Sequence, residues 1–146
     1  MKTITLFSDS ASRTKEIGVI LGAYLRSGDV LALQGPLGAG KTTLAKGLAR
    51  GLGVRSERNV SSPTYVLIHE YQGREKIFHL DWYRLRKVSG VDEDMALECF
   101  QSPAVTWVEW PERGKHLLPP GTWKVTIDHA GEGRRKLKIQ WPSKHV

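Results

Sequence analysis

Residues 35–42 have the types and the spacing of a phosphate-binding loop. They read GPLGAGKT and match the pattern G-x-x-x-x-G-K-[ST] at every fixed position. The three glycines permit backbone angles that direct successive N–H groups into one concavity. Lys41 supplies a positive charge for the outer phosphates, and the Thr42 hydroxyl is a suitable oxygen ligand for magnesium. The predicted nucleotide contacts along this segment are Gly38, Ala39, Gly40, Lys41, Thr42 and Thr43.

Two carboxylates are candidates for the catalytic side of such a site. Asp81 follows the apolar run IFHL and Glu109 follows VTWV, so each is expected at the end of a buried strand. A phosphoryl-transfer site needs an acid at a strand end to hold the magnesium shell. One acid is expected near the metal, and the other is expected to position water or to tune the first. Which acid has which role stays open, and with Lys41 they form the predicted catalytic set.

The base of the nucleotide is predicted by exclusion. Guanine-specific relatives need an N-K-x-D element, and the one asparagine of this chain, Asn59, is followed by Val60. A D-x-x-G sequence at residues 128–131 fits a turn near the end of the chain. ATP is therefore the expected nucleotide, with Thr14 and the end of the chain as candidate contacts to adenine.

The elements that must position the loop have the pattern of half an α/β sheet. Residues 30–34 form an apolar run typical of a buried strand, and a helix with an apolar face is predicted from about residue 41. An earlier helix, capped by Ser10 or Ser12, is expected to continue to about residue 26 and to end at Gly28. Its predicted inward positions are Ile17, Ile20, Leu21, Tyr24 and Leu25.

The rest of the chain alternates strand and helix signals, and we predict a single P-loop NTPase domain over residues 1–146. The fold class is α/β, with a mixed, mostly parallel sheet flanked by helices and a C-terminal β-hairpin. The remaining predicted elements are an edge strand at 2–7, a hairpin of 65–71 with 76–80, a helix at 89–101, a strand at 104–110 and a hairpin of 123–127 with 137–141.

Composition and charge exclude several classes of protein. The chain has 146 residues and a net charge of +7, and its content of 40% hydrophobic residues is typical of a globular protein. No apolar run approaches the roughly 18 residues that a membrane-spanning helix needs. The single cysteine, Cys99, excludes an internal disulfide and a multi-cysteine metal site, and it is expected in the core. We expect a soluble, cytoplasmic protein without a membrane role.

The histidines and tryptophans carry weaker signals. The histidines lack the spacing of metal ligands, so His79 and the others are expected at surface or packing positions. Trp107, Trp123 and Trp141 fall on strand patterns and are expected in the core. Trp110, between the second acid and a proline, is the tryptophan expected to respond to events at the site.

Four blocks, in this order, resemble the TsaE family, the small P-loop ATPases of bacterial tRNA threonylcarbamoyladenosine biosynthesis. They are GPLGAGKTTLAKGL from Gly35, SSPTYVLIHEY from Ser61, HLDWYRL from His79 and VEWPERG from Val108. The first block is common to many nucleotide-binding families. The other three, in this order and in so short a chain, are specific to this family, and the resemblance covers about residues 10–130.

The resemblance implies a protein that binds ATP and magnesium, hydrolyses ATP weakly alone and acts with TsaB and TsaD, and functionally with TsaC. These proteins together modify adenosine 37 of tRNAs that read codons beginning with A. The ATPase is expected to reset the TsaB–TsaD complex between turnovers, and any contact with tRNA is expected to be indirect. By motif match, Thr42 and Glu109 are the magnesium-side residues and Asp81 is a functional acid. The implied switch-like segment and its conformationally sensitive neighbour are Ser62, Pro63, Thr64, Tyr65 and Trp110.

Two other functions fit parts of the sequence. A small-molecule kinase shares a phosphate loop and a compact size. Such kinases typically add an arginine-bearing lid, whereas here only Arg84 and Arg86 lie in a short connection. A nucleic-acid-binding module is suggested by the basic residues at both ends of the chain, and it would bind RNA in a salt-dependent manner without ATP.

Overall fold

The computed structural model describes residues 1–143 and contains one seven-stranded sheet with helices on both faces. The strands are β1 (Lys2–Ser8), β2 (Val30–Gln34), β3 (Ile68–Gln72), β4 (Lys76–Asp81), β5 (Ala104–Glu109), β6 (Trp123–His129) and β7 (Arg135–Trp141). The helices are α1 (Ala11–Tyr24), α2 (Lys41–Gly51) and α3 (Val91–Gln101), with 3₁₀ segments at Glu57–Asn59 and Pro111–Leu117. The α/β fold class and the C-terminal hairpin are confirmed.

The strand order β1-β7-β6-β2-β5-β4-β3 places β2 at the centre of the sheet. Pairing is parallel for β2 with β5, β2 with β6 and β4 with β5. It is antiparallel for β1 with β7, β6 with β7 and β3 with β4, so the described sheet has three pairings of each kind. The carboxyl ends of β2, β4 and β5 therefore lie at one edge, which is where open α/β sheets bind ligands.

Helices α1 and α2 cover one face of the sheet and approach each other closely at glycines. A Cβ atom on Gly18 would lie 2.6 Å from the carbonyl oxygen of Leu44, and one on Gly47 would lie 2.2 Å from that of Lys15. Any side chain at these two positions would force the helix backbones apart. The contact holds α2, and with it the end of the phosphate loop, against the rest of the domain.

The same contact determines which side of α1 is buried. Ile17 and Leu21 face the core as predicted, whereas Ile20 and Tyr24 are 57% and 58% exposed. The prediction for these two residues was wrong because it chose the buried face of the helix from apolar residues alone. In the structure, the close approach at the glycines orients α1 so that its small residues face α2. By contrast, the apolar face predicted for the second helix is buried, as the residues Leu44, Ala45, Leu48 and Leu52 show.

Several element boundaries differ from the prediction. Helix α1 ends at Tyr24, and Gly28 lies in the following turn, where its positive φ of 93° lets its N–H donate to the Ala104 carbonyl oxygen. Strand β3 begins at Ile68 because residues 64–66 form a turn. Helix α3 begins at Val91, two residues later than predicted, and the side chain of Val91 is exposed.

A second, smaller core lies on the other face of the sheet, under α3. It includes Leu80 and Val108 from the strands, Trp82 from the residue after β4, and Cys99 from the helix. Burial raises the pKa of the Cys99 thiol to about 11, as expected for a packing cysteine. Within residues 1–143, none of the helices combines the length and the apolar character needed to cross a membrane.

Candidate active site

The predicted phosphate loop connects the central strand β2 to the start of α2, which is the context that the motif requires. Gly38 and Gly40 have φ angles of 76° and 106°, a region in which side chains other than glycine are strained. These two residues let the chain turn so that α2 begins at Lys41. The amino end of α2 and the loop amides together form a region of positive potential at the carboxyl edge of the sheet.

Arg135, at the start of β7, holds the loop from outside. Its Nε donates to the Ala39 carbonyl oxygen at 2.8 Å, and its Nη2 lies 3.3 Å from the Gly38 carbonyl oxygen. Binding the carbonyl oxygens on one side leaves the loop's N–H groups directed elsewhere. Nothing in the sequence pattern pointed to this arginine, because it lies 96 residues from Ala39.

Lys41 is buried among groups of opposite charge. Its ammonium group donates to the Gly35 carbonyl oxygen and lies 4.1 Å from the centre of the Trp110 ring, a cation–π contact. Burial lowers the pKa of Lys41, and the negative charges of Glu109 and Asp81 oppose that effect. The charge is therefore placed between the loop and the two acids.

A short chain of hydroxyl groups joins the phosphate loop to Glu109. The Ser62 hydroxyl donates a hydrogen bond to Glu109 Oε2 at 2.8 Å. Because the one hydroxyl hydrogen of Ser62 is used in that bond, the Thr42 hydroxyl, 3.0 Å from the Ser62 oxygen, must donate to Ser62. Thr42 comes from α2, Ser62 from the segment before β3, and Glu109 from the end of β5, so the structure brings together three of the predicted residues.

Glu109 is almost completely buried, yet it is held in its ionised form. Burial on its own would raise the pKa of this carboxyl group. Hydrogen bonds from His79 and Ser62, together with the positive charge of Lys41, outweigh burial and lower the pKa. His79 Nε2 lies 2.6 Å from Glu109 Oε2, which is a shorter distance than the 2.8 Å from the Ser62 hydroxyl to the same oxygen.

Asp81 is the direct neighbour of Glu109 in the sheet. The parallel register of β4 and β5 pairs these two residues, as expected for acids at adjacent strand ends. Asp81 Oδ2 accepts a hydrogen bond from Thr64 at 2.9 Å, and Oδ1 accepts one from the Tyr83 backbone N–H at 2.8 Å. Ser62 is hydrogen-bonded to Glu109 and Thr64 to Asp81, so two residues of one segment contact the two acids.

The switch-like segment has an ordered inner side and an exposed outer side. Pro63 is buried, while Tyr65 is 83% exposed and carries the guanidinium group of Arg84 at 5.0 Å from its ring centre. Leu67, which closes the turn, has a positive φ of 68°. A left-handed conformation at a leucine is costly and marks a segment held by its surroundings.

Trp110 also has a left-handed backbone, with φ 58° and ψ 49°. Its ring packs against Tyr83, with 4.9 Å between the ring centres, and over the ammonium group of Lys41. The residue therefore joins the end of β5 to the phosphate loop. A strained backbone at this position is typical of a functional site.

The remaining predicted nucleotide contacts lie beside the loop. Thr14 is buried, and its hydroxyl is bonded to Ser8 at 2.7 Å and to the Ser10 carbonyl oxygen at 3.2 Å. A Cβ atom on Gly40 would lie 3.9 Å from the Thr14 methyl carbon. Thr43 is half-buried in the first turn of α2. The end of the chain, the other candidate for adenine, includes residues 144–146, which lie outside the described part.

The oxygen atoms between the phosphate loop and Glu109 fit magnesium. They are the Thr42 and Ser62 hydroxyls and the Glu109 carboxylate, while both ring nitrogens of the neighbouring His79 are used in hydrogen bonds. Within residues 1–143, no group of three or more His, Cys, Asp or Glu side chains could hold a metal ion by itself. Magnesium is usually bound by one or two carboxylates together with substrate phosphates. Thr42 and Glu109, joined through Ser62, offer that combination beside a phosphate loop.

Comparison with known proteins identifies the family of this chain. Residues 8–137 match the family described as threonylcarbamoyl adenosine biosynthesis protein TsaE. The chain belongs to the TsaE family. The tRNA threonylcarbamoyladenosine biosynthesis protein TsaE of Treponema pallidum is 38% identical over 132 residues, which covers 90% of this chain and 96% of that protein. The TsaE protein of Bacillus subtilis is 39% identical over 139 residues, covering 94% and 85%.

A solved structure has a similar fold. The crystal structure of YdiB from Bacillus subtilis has a TM-score of 0.78 and 32% sequence identity to this chain, over 96% of this chain and 86% of that one. The blocks that carry the resemblance to TsaE, which begin at Gly35, Ser61, His79 and Val108, converge at the carboxyl edge of the sheet. Residues far apart in sequence are therefore neighbours at one site.

Sequence reasoning missed two buried residues of this site. His79 was expected at a surface or packing position, but it is completely buried and bonded through both ring nitrogens, to Glu109 and to the hydroxyl of Tyr71. Tyr71 was seen only as part of a strand. One signal was present, because His79 precedes Asp81 by two residues and alternate residues of a strand share a face.

Proposed function

We propose that this chain binds ATP with magnesium and hydrolyses it slowly. The observation that supports this most is the hydrogen-bonded chain from Thr42 through Ser62 to Glu109. It links a loop of the phosphate-binding type to a buried carboxylate whose lowered pKa keeps it ionised. A phosphoryl-transfer site needs groups that bind the phosphates and a carboxylate that supports the metal or the attacking water.

In this proposal, the phosphate loop binds the triphosphate. The loop amides and the amino end of α2 bind the phosphate oxygens, and Gly38, Ala39, Gly40 and Thr43 supply backbone or hydroxyl donors. Lys41 turns from the Gly35 carbonyl oxygen toward the outer phosphates. Arg135 keeps the loop carbonyl oxygens directed away from the ligand. Each of these contacts favours a polyanion.

The acids then have different tasks. Magnesium, when bound, neutralises the charge that develops on the phosphates. Thr42 and Glu109 provide the oxygen atoms on its side of the site. Asp81, held by Thr64 and by the Tyr83 N–H, orients the attacking water or tunes Glu109. Since Ser62 and Thr64 each bind one acid, movement of the segment between them changes both acids together.

Membership of the TsaE family supports a role in tRNA modification. We propose that the chain acts with TsaB and TsaD, and functionally with TsaC, in the threonylcarbamoyl modification of adenosine 37 in tRNAs that read codons beginning with A. The exposed Tyr65 and the segment around it are suited to sense such partners, because their inner side contacts both acids. ATP hydrolysis would then reset the TsaB–TsaD complex, without a direct contact to tRNA.

Phosphate release from ATP and magnesium tests this proposal. The chain alone should hydrolyse ATP slowly, and adding TsaB and TsaD together should raise the rate. Each partner alone, and the two without this chain, serve as controls. If the mixture releases no more phosphate than its separate components, the partner role is lost, while ATP hydrolysis by the chain alone remains to support the activity.

A further inference from the structure

A line of buried hydrogen bonds leads from Glu109 away from the phosphate loop. His79 Nε2 lies 2.6 Å from Glu109 Oε2, and His79 Nδ1 lies 3.0 Å from the Tyr71 hydroxyl oxygen. The Tyr71 hydroxyl is in turn 3.2 Å from the Ser61 carbonyl oxygen. We refer to His79 and Tyr71 as the relay. The contacts that bind nucleotide in the proposed function do not include it.

The relay is rigidly packed. His79 is 0% exposed and Tyr71 is 9% exposed. The imidazole ring lies between the rings of Tyr71 and Trp107, with centres 5.9 Å and 5.3 Å away. A buried imidazole needs partners for both nitrogens, and here both are satisfied. Neither ring can turn without breaking a buried hydrogen bond, so the relay holds the Glu109 carboxylate in one orientation.

The relay ends on the same segment that binds Glu109 directly. Ser62 donates a hydrogen bond to Glu109 Oε2. The same oxygen contacts His79, His79 contacts Tyr71, and Tyr71 contacts the carbonyl oxygen of the adjacent Ser61. The Tyr71 hydroxyl has one proton, which His79 Nδ1 or the Ser61 carbonyl oxygen can accept. His69 Nδ1 also lies 3.3 Å from this hydroxyl and 2.9 Å from the same carbonyl oxygen. Displacing Ser61 therefore changes the hydrogen bonding of His79, and with it the support of Glu109.

We propose that His79 and Tyr71 are positioning residues that orient Glu109 toward magnesium and couple its orientation to residues 61–65. This inference rests on the proposed function, since it assigns Glu109 to the metal side of an ATP site. It adds to that function a second route by which the switch-like segment controls the acid. Removing a residue that hydrogen-bonds to a metal ligand typically lowers metal affinity by about 10- to 100-fold.

The test compares nucleotide affinity with and without magnesium. Calorimetry with a non-hydrolysable ATP analogue is run in excess magnesium and in EDTA, on the full chain and on three variants. Tyr71→Phe removes only the hydroxyl that reaches Ser61, and we expect the magnesium-dependent gain in affinity to fall about three- to tenfold. His79→Leu should reduce it about tenfold or more. His79→Gln restores a donor to Glu109 and should recover part of that loss.

In EDTA, all three variants should bind the analogue within about twofold of the wild type. Tyr24→Phe, which removes an exposed phenol hydroxyl on α1, is the matched control and should change neither affinity. Two results would contradict the proposed role of the relay while leaving the ATP site intact. One is an equal loss of nucleotide affinity with and without magnesium, and the other is a wild-type dependence of that affinity on magnesium in folded variants. If His79→Leu does not fold, Tyr71→Phe decides alone. A wild-type chain that binds no nucleotide overturns the proposed function and this inference with it.

Discussion

The two sides of the candidate site are built in different ways. On the phosphate-loop side, most contacts are local and made by backbone atoms between β2 and α2, as in the bond from the Leu44 N–H to the Gly40 carbonyl oxygen, and the Arg135 side chain adds a distant contact. On the carboxylate side, the contacts join side chains that are 17 to 47 residues apart, such as Thr64 with Asp81 and Ser62 with Glu109. One side depends on local backbone conformation, and the other on the register of the sheet.

If the proposed function is correct, this difference predicts that the binding and the hydrolysis of ATP are separable. The loop side gathers positive charge and N–H donors, which favour any phosphate tail. The carboxylate side holds two carboxyl groups, which do not attract phosphate by themselves and become useful only with a metal and a water molecule. Variants on the two sides should therefore have different effects.

The largest effect is expected from Glu109→Ala. Hydrolysis should fall about a hundredfold or more, because the acid that supports the metal side is lost. Binding of ATP in EDTA should change little, since the loop is untouched. Rates of phosphate release, with Glu112→Ala as an exposed acidic control nearby, measure this effect. Near-normal hydrolysis would show that Glu109 has no catalytic role.

The reverse pattern is expected from Lys41→Ala. ATP affinity should fall about 10- to 100-fold, because a charged hydrogen bond to phosphate is lost. Titration calorimetry measures it, and Lys46→Ala, on the same helix but outside the motif, is the matched control. Tight ATP binding by the Lys41 variant would contradict the assignment of the loop.

A smaller effect, on stability, is expected from Gly47→Ala. The added methyl group would overlap the Lys15 carbonyl oxygen at 2.2 Å, so α1 and α2 must separate. We expect the free energy of unfolding to fall by about 1–3 kcal/mol. Urea denaturation measures it, and Ser12→Ala, at an exposed position of α1, should be close to neutral. An unchanged midpoint would mean that the loop side does not depend on this helix contact.

The smallest change is an optical one at Trp110, which contacts both sides. When Lys41 turns toward phosphate, its ammonium group leaves the Trp110 ring, and the tryptophan fluorescence should change. The signal should follow ATP and magnesium binding and should be lost in Trp110→Phe. TsaB and TsaD should alter the response further. A response that persists in the Trp110 variant would come from another of the five tryptophans.

Much of the fold could be predicted from local patterns. The apolar run of β2, the inward face of α2 and the terminal hairpin follow from periodicity, and all are present. The orientation of α1 could not be predicted, because Ile20 and Tyr24 are exposed by a contact between glycines of two helices. The start of β3 was missed because the turn before it contains residues, Tyr65 and Val66, that favour strands in isolation.

By itself, the sequence determined the phosphate loop, because glycine spacing and the flanking strand and helix are properties of consecutive residues. It also marked Asp81 and Glu109 as acids at strand ends. Only the tertiary structure decided that these acids are neighbours, that His79 supports one of them and that Arg135 holds the loop. The physical reason is that these contacts depend on which strands pair and in what register, and this is settled by burial of the whole sheet rather than by any local segment.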